Sequence, residues 1–456
     1  MLDPFTGGLA FVLANDCVAS TEGDQWPTSA PEELVNDPWL NFERRPVWIS
    51  PYRHVGEDAT RQLSAQRDDG RQPPPAGFEY AEHRFLGDQM NLKYQHPKSS
   101  TDQTPDGKVV DVVASDLPLL KLSKGSDVLE LTYGEISALA GDFYGTLNPI
   151  SDAKSDEDAR TRFLAAYNTL ADNPADQPHD GQVLIKHLQD EVDQVEALHK
   201  EKKDPSTWYK DGTGLAGMNA IDKLIQGRHF PIYSELLKIN WDHFGDNARA
   251  AYRAGHSAAL QLATTGEKTV DRLVKAYSIN AFADHYLQDL FSAGHLRTPR
   301  RLLHGGLKNV VDVCANKMHD EDCALGLSVS APKGNPWQAY GDKRLLDKCN
   351  EENLLKCQAA IVESSREIYD AWDTRHAPEP AAYKAFDIVP TKASALSEQQ
   401  TLAPLFKLGP SGEYKDLQRR LELKDRKVWK FKTNWWPVTT VAETYTSGLW
   451  KYPITM

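Results

Sequence analysis

The chain has 456 residues, with 52 Lys and Arg against 65 Asp and Glu, a formal charge of −13. That length suits two or three domains rather than one core, and the acidic balance argues against a surface built to grip phosphate backbones. Mean hydropathy is −0.55, with no run of about 18 apolar residues to span a bilayer, while 11 Trp are too many for a disordered chain.

The opening MLDPFTGGLAFVLAND has a short apolar stretch but no basic segment ahead of it, so a cleaved signal peptide is not expected. Residues 1–110 read as an irregular region, with a Pro-rich loop at 67–77 and His83 near its end. From Lys108 the run KVVDVVASDLPLLKLS reads as strand, and Gly134 to Ala140 as helix. The stretch from about 158 to 372 is dominated by helical periodicity. Its longest apolar segment is KTVDRLVKAYSINAFADHYLQDLFSAGH. Pro378, Pro380 and Pro390 mark a boundary, and the last thirty or so residues, rich in Trp, Thr, Val and Tyr, read as short strands. The expected fold is mainly α. A helical metal-binding domain at 111–375 lies between the irregular region and a β-rich, Trp-rich segment at 376–456. Five cysteines, odd in number and without CxxC, point to reduced packing thiols rather than a disulfide scaffold.

The histidines between 243 and 319 carry the chemistry. His285 and Asp289 are four apart in an otherwise apolar helix, hence on one face and buried. A buried imidazole and carboxylate need partners, and a metal ion supplies them. The small residues Ser292, Ala293 and Gly294 can end that helix and place His295 beside a second ion. Asp142 lies in a Gly-flanked turn beside aromatic residues, and His243 lies between two helices. His319 opens the acidic run HDED at a helix end, where such charge is unfavourable without a counter-ion. His187, His199 and His256 read as structural or surface residues.

HYLQDLFSAGH resembles the signature of the zinc-dependent bacterial phospholipases C at His285, Tyr286, Asp289 and His295. It departs from it at Ala293, where that family has Pro, and at Thr298, where it has Asn. The segments LTYGEISALAGDFYG, NWDHF, HLRTPRR and MHDED…GL…W-x-AYGD are similar to a subgroup of metallophospholipases C from proteobacteria and fungi. The resemblance spans roughly residues 80–370, and fungal single-strand nucleases share the same helical zinc core. It implies two or three Zn²⁺ ions. One would sit on Asp142, His243, His285 and Asp289. A second would take His295, His319 and a carboxylate of the HDED run, Asp322 first and Glu321 next. The family's third site uses an N-terminal Trp. This chain begins with Met, and His83, with Glu82 beside it, is the candidate replacement. Asp142 would orient or deprotonate the attacking water.

Arg297, Arg300 and Arg301 follow His295 closely and could clamp a phosphate, as could His304; a charged loop would look the same. The expected activity is hydrolysis of a phospholipid to diacylglycerol and a phosphorylated headgroup. The partner is a membrane surface, with no nucleic acid and a possible homo-oligomer. The resemblance implies export, or delivery to a target membrane, by a route without an evident signal peptide. The alternatives are a zinc-dependent single-strand nuclease and a non-enzymatic helical interaction protein. The tail KVWKFKTNWW interleaves Lys with aromatic residues, as membrane-interface segments do, and as a Trp-packed strand or subunit interface would.

Overall fold

The computed structural model describes residues 80–211, 221–304 and 310–447. The fold is mainly α, with a few small antiparallel sheets. Helix α1 (Tyr80–Asp88) leads into a hairpin of β1 (Asn91–Pro97) and β2 (Pro105–Val113), with Asn91 opposite Val113. From residue 80 onward the region expected to be irregular is therefore regular; the Pro-rich loop at 67–77 lies outside the described residues. Every residue of α1 is buried, polar ones included, because the helix is inserted between other elements rather than laid on the surface.

A second hairpin pairs β3 (Leu120–Lys124) with β4 (Asp127–Leu131) and enters α2 (Tyr133–Leu139). A capping box starts that helix: the Thr132 hydroxyl accepts from the Glu135 N–H and the Glu135 carboxylate accepts from the Thr132 N–H. Then come α3 (Asp156–Ala171), α4 (His179–Lys200), α5 (Tyr233–Lys238), α6 (Gly245–Thr264) and α7 (Val270–Asp289). Ser155 and Thr269 cap α3 and α7 with their hydroxyls. A short α8 (Ala293–Arg297) precedes α9 (Val310–Leu325) and α10 (Glu351–Thr374).

Helix α7 is the axis of the core and packs against α6, α10 and α2. From Ala276 to Asp289 every residue is buried, so its polar side chains must find partners inside. The Tyr133 hydroxyl donates to Asp284 Oδ2 at 2.7 Å and the Ser364 hydroxyl to Asp284 Oδ1 at 2.7 Å. His256 joins Asn280 at 2.7 Å and Glu367 at 3.1 Å. His256 is thus a structural residue of a network tying α2, α6, α7 and α10 together.

The C-terminal part holds β7 (Phe406–Leu408), β8 (Leu417–Arg420) and β9 (Phe431–Lys432) in one antiparallel sheet, order β7-β8-β9. Strands β5 (Leu327–Val329) and β6 (Trp337–Ala339) and the one-turn α11 (Lys392–Ala395) precede it. Strand content in the tail is lower than its Val and Thr residues suggest, for Pro437–Ser447 forms helix α12. Pro437 opens it at a position where a missing N–H costs nothing, and packing on α9 overrides the β preference of its Val and Thr residues. No described helix is long and apolar enough to cross a membrane. Cys314, Cys323 and Cys357 are buried free thiols, as expected. Cys349 is not; it is disulfide-bonded.

Candidate metal centre

Two close approaches assemble the site. Helices α1 and α2 cross backbone to backbone at Gly87 and Gly134, where a Cβ on Gly134 would lie 2.2 Å from the Arg84 carbonyl oxygen. This crossing sets His83 of α1 against His285 of α7, their rings stacked with centroids 4.3 Å apart. After α2 the chain turns at Gly141 with φ +70°, and a Cβ there would meet His243 at 2.7 Å and His285 at 3.0 Å. Only glycine allows that conformation and that proximity together. The turn delivers Asp142 to the two imidazoles, its oxygens 4.0 Å from His243 Nε2 and 3.9 Å from His285 Nε2.

Asp289 lies at the centre. Its Oδ2 is 2.9 Å from His243 Nδ1 and 3.6 Å from His285 Nε2. Its Oδ1 is 3.7 Å from His83 Nε2 and 3.5 Å from His295 Nδ1. Beyond it His295, His319 and Asp342 form a second group. Asp342 Oδ2 is 3.2 Å from His295 Nε2 and 2.7 Å from His319 Nε2, and its Oδ1 accepts the Ser292 hydroxyl. His83 with His285 and Asp289, Asp142 with His243 and His285, and His295 with His319 and Asp342 each bring their donor atoms close enough to hold one metal ion.

The histidine tautomers fit cations. His285 Nδ1 lies 2.9 Å from the Ser137 carbonyl oxygen, His295 Nδ1 2.9 Å from the His243 carbonyl oxygen, and His83 Nδ1 2.5 Å from Gln288 Oε1. An oxygen of that kind only accepts, so each Nδ1 carries the proton and donates it. Each Nε2 then faces inward: His83 toward Asp289, His295 toward Asp342, and His285 toward His243 Nδ1 at 3.0 Å and Asp289 at 3.6 Å. Buried imidazole nitrogens and carboxylates gathered in this way form a donor set that a cation would satisfy. The carboxylates make the local field negative. Burial keeps the His285 imidazole neutral, well below its usual range. Burial opposes charge on His243 too, yet Asp289 and Asp142 outweigh it and push the imidazole up to about 9. Although buried, Asp289 is held well below the usual carboxylate range by His285, His295 and His243.

The structure brings together Asp142, His243, His285 and Asp289, places His295 beside His319, and sets His83, the candidate for a third site, against His285 and Asp289. It corrects the carboxylate of the second group. Asp322 faces Arg297, which donates Nε to its Oδ2 at 2.8 Å and an NH2 hydrogen to its Oδ1 at 2.7 Å. Glu321 is held by Arg420 at 2.9 and 3.0 Å and by Arg426. The acidic run does have counter-ions, but Glu321 and Asp322 meet arginines. Asp342, in the loop after β6, stands where Asp322 was expected. The segment W-x-AYGD pointed there; a loop carboxylate with no helical partner has no spacing to mark it.

The expected phosphate contacts are corrected likewise. Arg297 is buried and spent on Asp322 and on the carbonyls of Ala395 and Leu402. Arg300 is buried and stitches Asp312, Asn240 and the carbonyls of Leu237 and Lys238. His304 pairs with Asp312 at 3.0 Å and packs on Trp241. Arg301 alone of the four is exposed, 2.8 Å from Asp152. Glu82 is no ligand either: its carboxylate accepts the backbone N–H groups of Lys343 and Leu345, each at 2.8 Å, on either side of the turn that follows Asp342. A pocket beside the two groups is lined by His83, Gln288, Asp289, Ser292, Tyr340 and Asp342. No family model matches the chain, and no curated protein or solved structure matches it either.

Proposed function

We propose that the chain is a zinc-dependent phosphodiester hydrolase acting on phospholipids, a phospholipase C that releases diacylglycerol and a phosphorylated headgroup. One observation carries this reading: histidines whose Nδ1 protons are held by outer oxygens turn their Nε2 atoms inward, among donor groups built on two buried carboxylates, Asp289 and Asp342. Imidazole and carboxylate donors in that mixture suit Zn²⁺. His83, Asp142, His243, His285 and Asp289 would hold ions at one end and His295, His319 and Asp342 at the other. Bound there, the ions would supply positive charge for phosphate oxygens and a more acidic water.

The chain's own groups have separate tasks. Ser137, His243 and Gln288 fix ring orientation through the Nδ1 protons. Asp142 has the most accessible carboxylate of the set, 13% exposed against 1% for Asp289, and burial lifts it above the usual carboxylate range. It is disposed to accept a proton from a water at the mouth of the site. The pocket between Asp289 and Asp342 is the place for the phosphodiester.

The test is diacylglycerol release from phosphatidylcholine and phosphatidylglycerol, run beside single-stranded DNA. Release by the native chain and its loss in His285→Ala and Asp289→Asn support the reading. Nucleotide release with inert lipid, or no hydrolysis of either by zinc-loaded protein, overturns it.

A further inference from the structure

The C-terminal sheet carries a surface that the metal centre does not use. Of the large hydrophobic side chains exposed among the described residues, Leu408, Tyr414, Leu421, Val428, Trp436 and Val438 all fall within one stretch of 31 residues. Trp436 is 54% exposed and Val438 49%, a costly display of apolar area in water. Part of this set is contiguous. Phe406, Leu408, Leu417 and Lys432 share one face of the β7-β8-β9 sheet by register. Trp435 packs on that face, 4.9 Å from Phe406 and 6.1 Å from Tyr414, and its indole N–H donates to the Leu417 carbonyl at 2.6 Å. Tyr414 thus flanks one anchored indole, with Leu408 on the same sheet face and Trp436 next in the chain.

The charge of the same stretch runs against that of the chain. Residues 406–438 hold nine basic and four acidic residues, in a protein whose net charge is −13. Arg420 and Arg426 neutralise Glu321 in the interior, and Arg419 pairs with Glu443. The outward charge comes from lysines, with Lys424, Lys427, Lys430 and Lys432 inside nine residues. On the opposite face by the same register, Lys407 lies over the rings of Trp429 and Phe431 at 5.7 and 5.6 Å, an apolar stem and ring carrying an ammonium head.

We infer that this sheet is a docking surface for an anionic phospholipid bilayer. Exposed indole and aliphatic side chains suit the headgroup boundary, and a lysine cluster suits its negative potential. A protein partner has no such call for lysines, which are depleted from interface cores. The inference deepens the phospholipase reading by naming how the enzyme meets its substrate, and it rests on that reading for its purpose only.

The experiment is co-sedimentation of full-length Asp289→Asn protein, which cannot turn lipid over, with phosphatidylcholine vesicles and with vesicles enriched in phosphatidylglycerol. Preferential sedimentation with the anionic vesicles, weakened by salt, is expected. Trp436→Ser with Leu408→Ser, and separately Lys427→Glu with Lys430→Glu, should each weaken it roughly tenfold. In an otherwise native chain the same changes should leave hydrolysis of a short-chain, water-soluble phospholipid unaltered. No sedimentation, or sedimentation indifferent to both pairs of changes, overturns the inference. So does a concentration-dependent dimer that Trp436→Ser abolishes while vesicle binding persists. Failure of hydrolysis with vesicle binding intact would count against the enzymatic reading alone.

Discussion

Glu82 and Lys343 are 261 residues apart, and the carboxylate of the first accepts the backbone N–H of the second at 2.8 Å. The helix that carries His83 thereby grips the loop that carries Asp342, and the two ends of the metal centre are mechanically joined. Lys343 itself sits at φ +68°, a conformation that only surrounding contacts maintain in a non-glycine residue.

Glu82→Gln removes an acceptor from that grip without touching a ligand atom. Affinity of the His295, His319 and Asp342 group should fall about 10- to 100-fold, as for other outer partners of metal ligands, while the group around Asp289 keeps its ion. Titration of chelated protein with zinc, read by a competing indicator, should show one weakened site. Unchanged binding would show that the loop holds Asp342 unaided.

Asp342→Asn and Asp322→Asn should separate binding from stability. The first loses metal with little change in the fold. The second leaves the buried Arg297 guanidinium without its anion, a loss of about 3–5 kcal/mol, with metal content kept in the fraction that folds. Thermal melting and elemental analysis of both variants decide the matter. Metal loss confined to Asp322→Asn would return the ligand role to the HDED run.

Gly141→Ala places a methyl 2.7 Å from His243 at φ +70°. Backbone strain alone costs about 1–2 kcal/mol, and the displaced imidazole should abolish the Asp142, His243 and His285 site. Zinc stoichiometry in the variant should fall relative to the native chain.

Glu196 gives a pH dependence remote from the site. Burial, with Asp88 and Asp193 adding repulsion against the pull of Arg84, pushes its carboxyl up from 4.5 to about 7. A folded-state value above the unfolded one means stability present below about 4.5 and lost as pH rises through 7. Glu196→Gln should therefore melt higher than the native chain at pH 8, and the gap should close toward pH 4. A gap independent of pH would contradict the assignment.

The long helices were legible in the sequence because their apolar periodicity runs over several turns. His285 and Asp289 were legible for the same reason: one helix fixes both. What hid was tertiary. Asp322 has ligand-like spacing from His319, yet its partner Arg297 lies 25 residues away on another helix, and the partners of Glu321, Arg420 and Arg426, lie about a hundred residues on. Asp342 has no periodic neighbour at all. His83 was a candidate from the sequence, but the glycine crossing at Gly87 and Gly134 that brings it to the site is announced by no spacing rule. Arg300 read as a phosphate clamp because its charge is visible in sequence and the carbonyls of Leu237 and Lys238 that absorb it are not.

The most direct measurement is anomalous scattering at the zinc edge from crystals of protein purified without chelator. Peaks are expected within ligand distance of Asp289 and of Asp342, the two flanked by His83, His243, His285 and by His295, His319 respectively. A crystal of zinc-exposed protein with no peak at either carboxylate, or with its zinc on Asp322, would contradict that expectation.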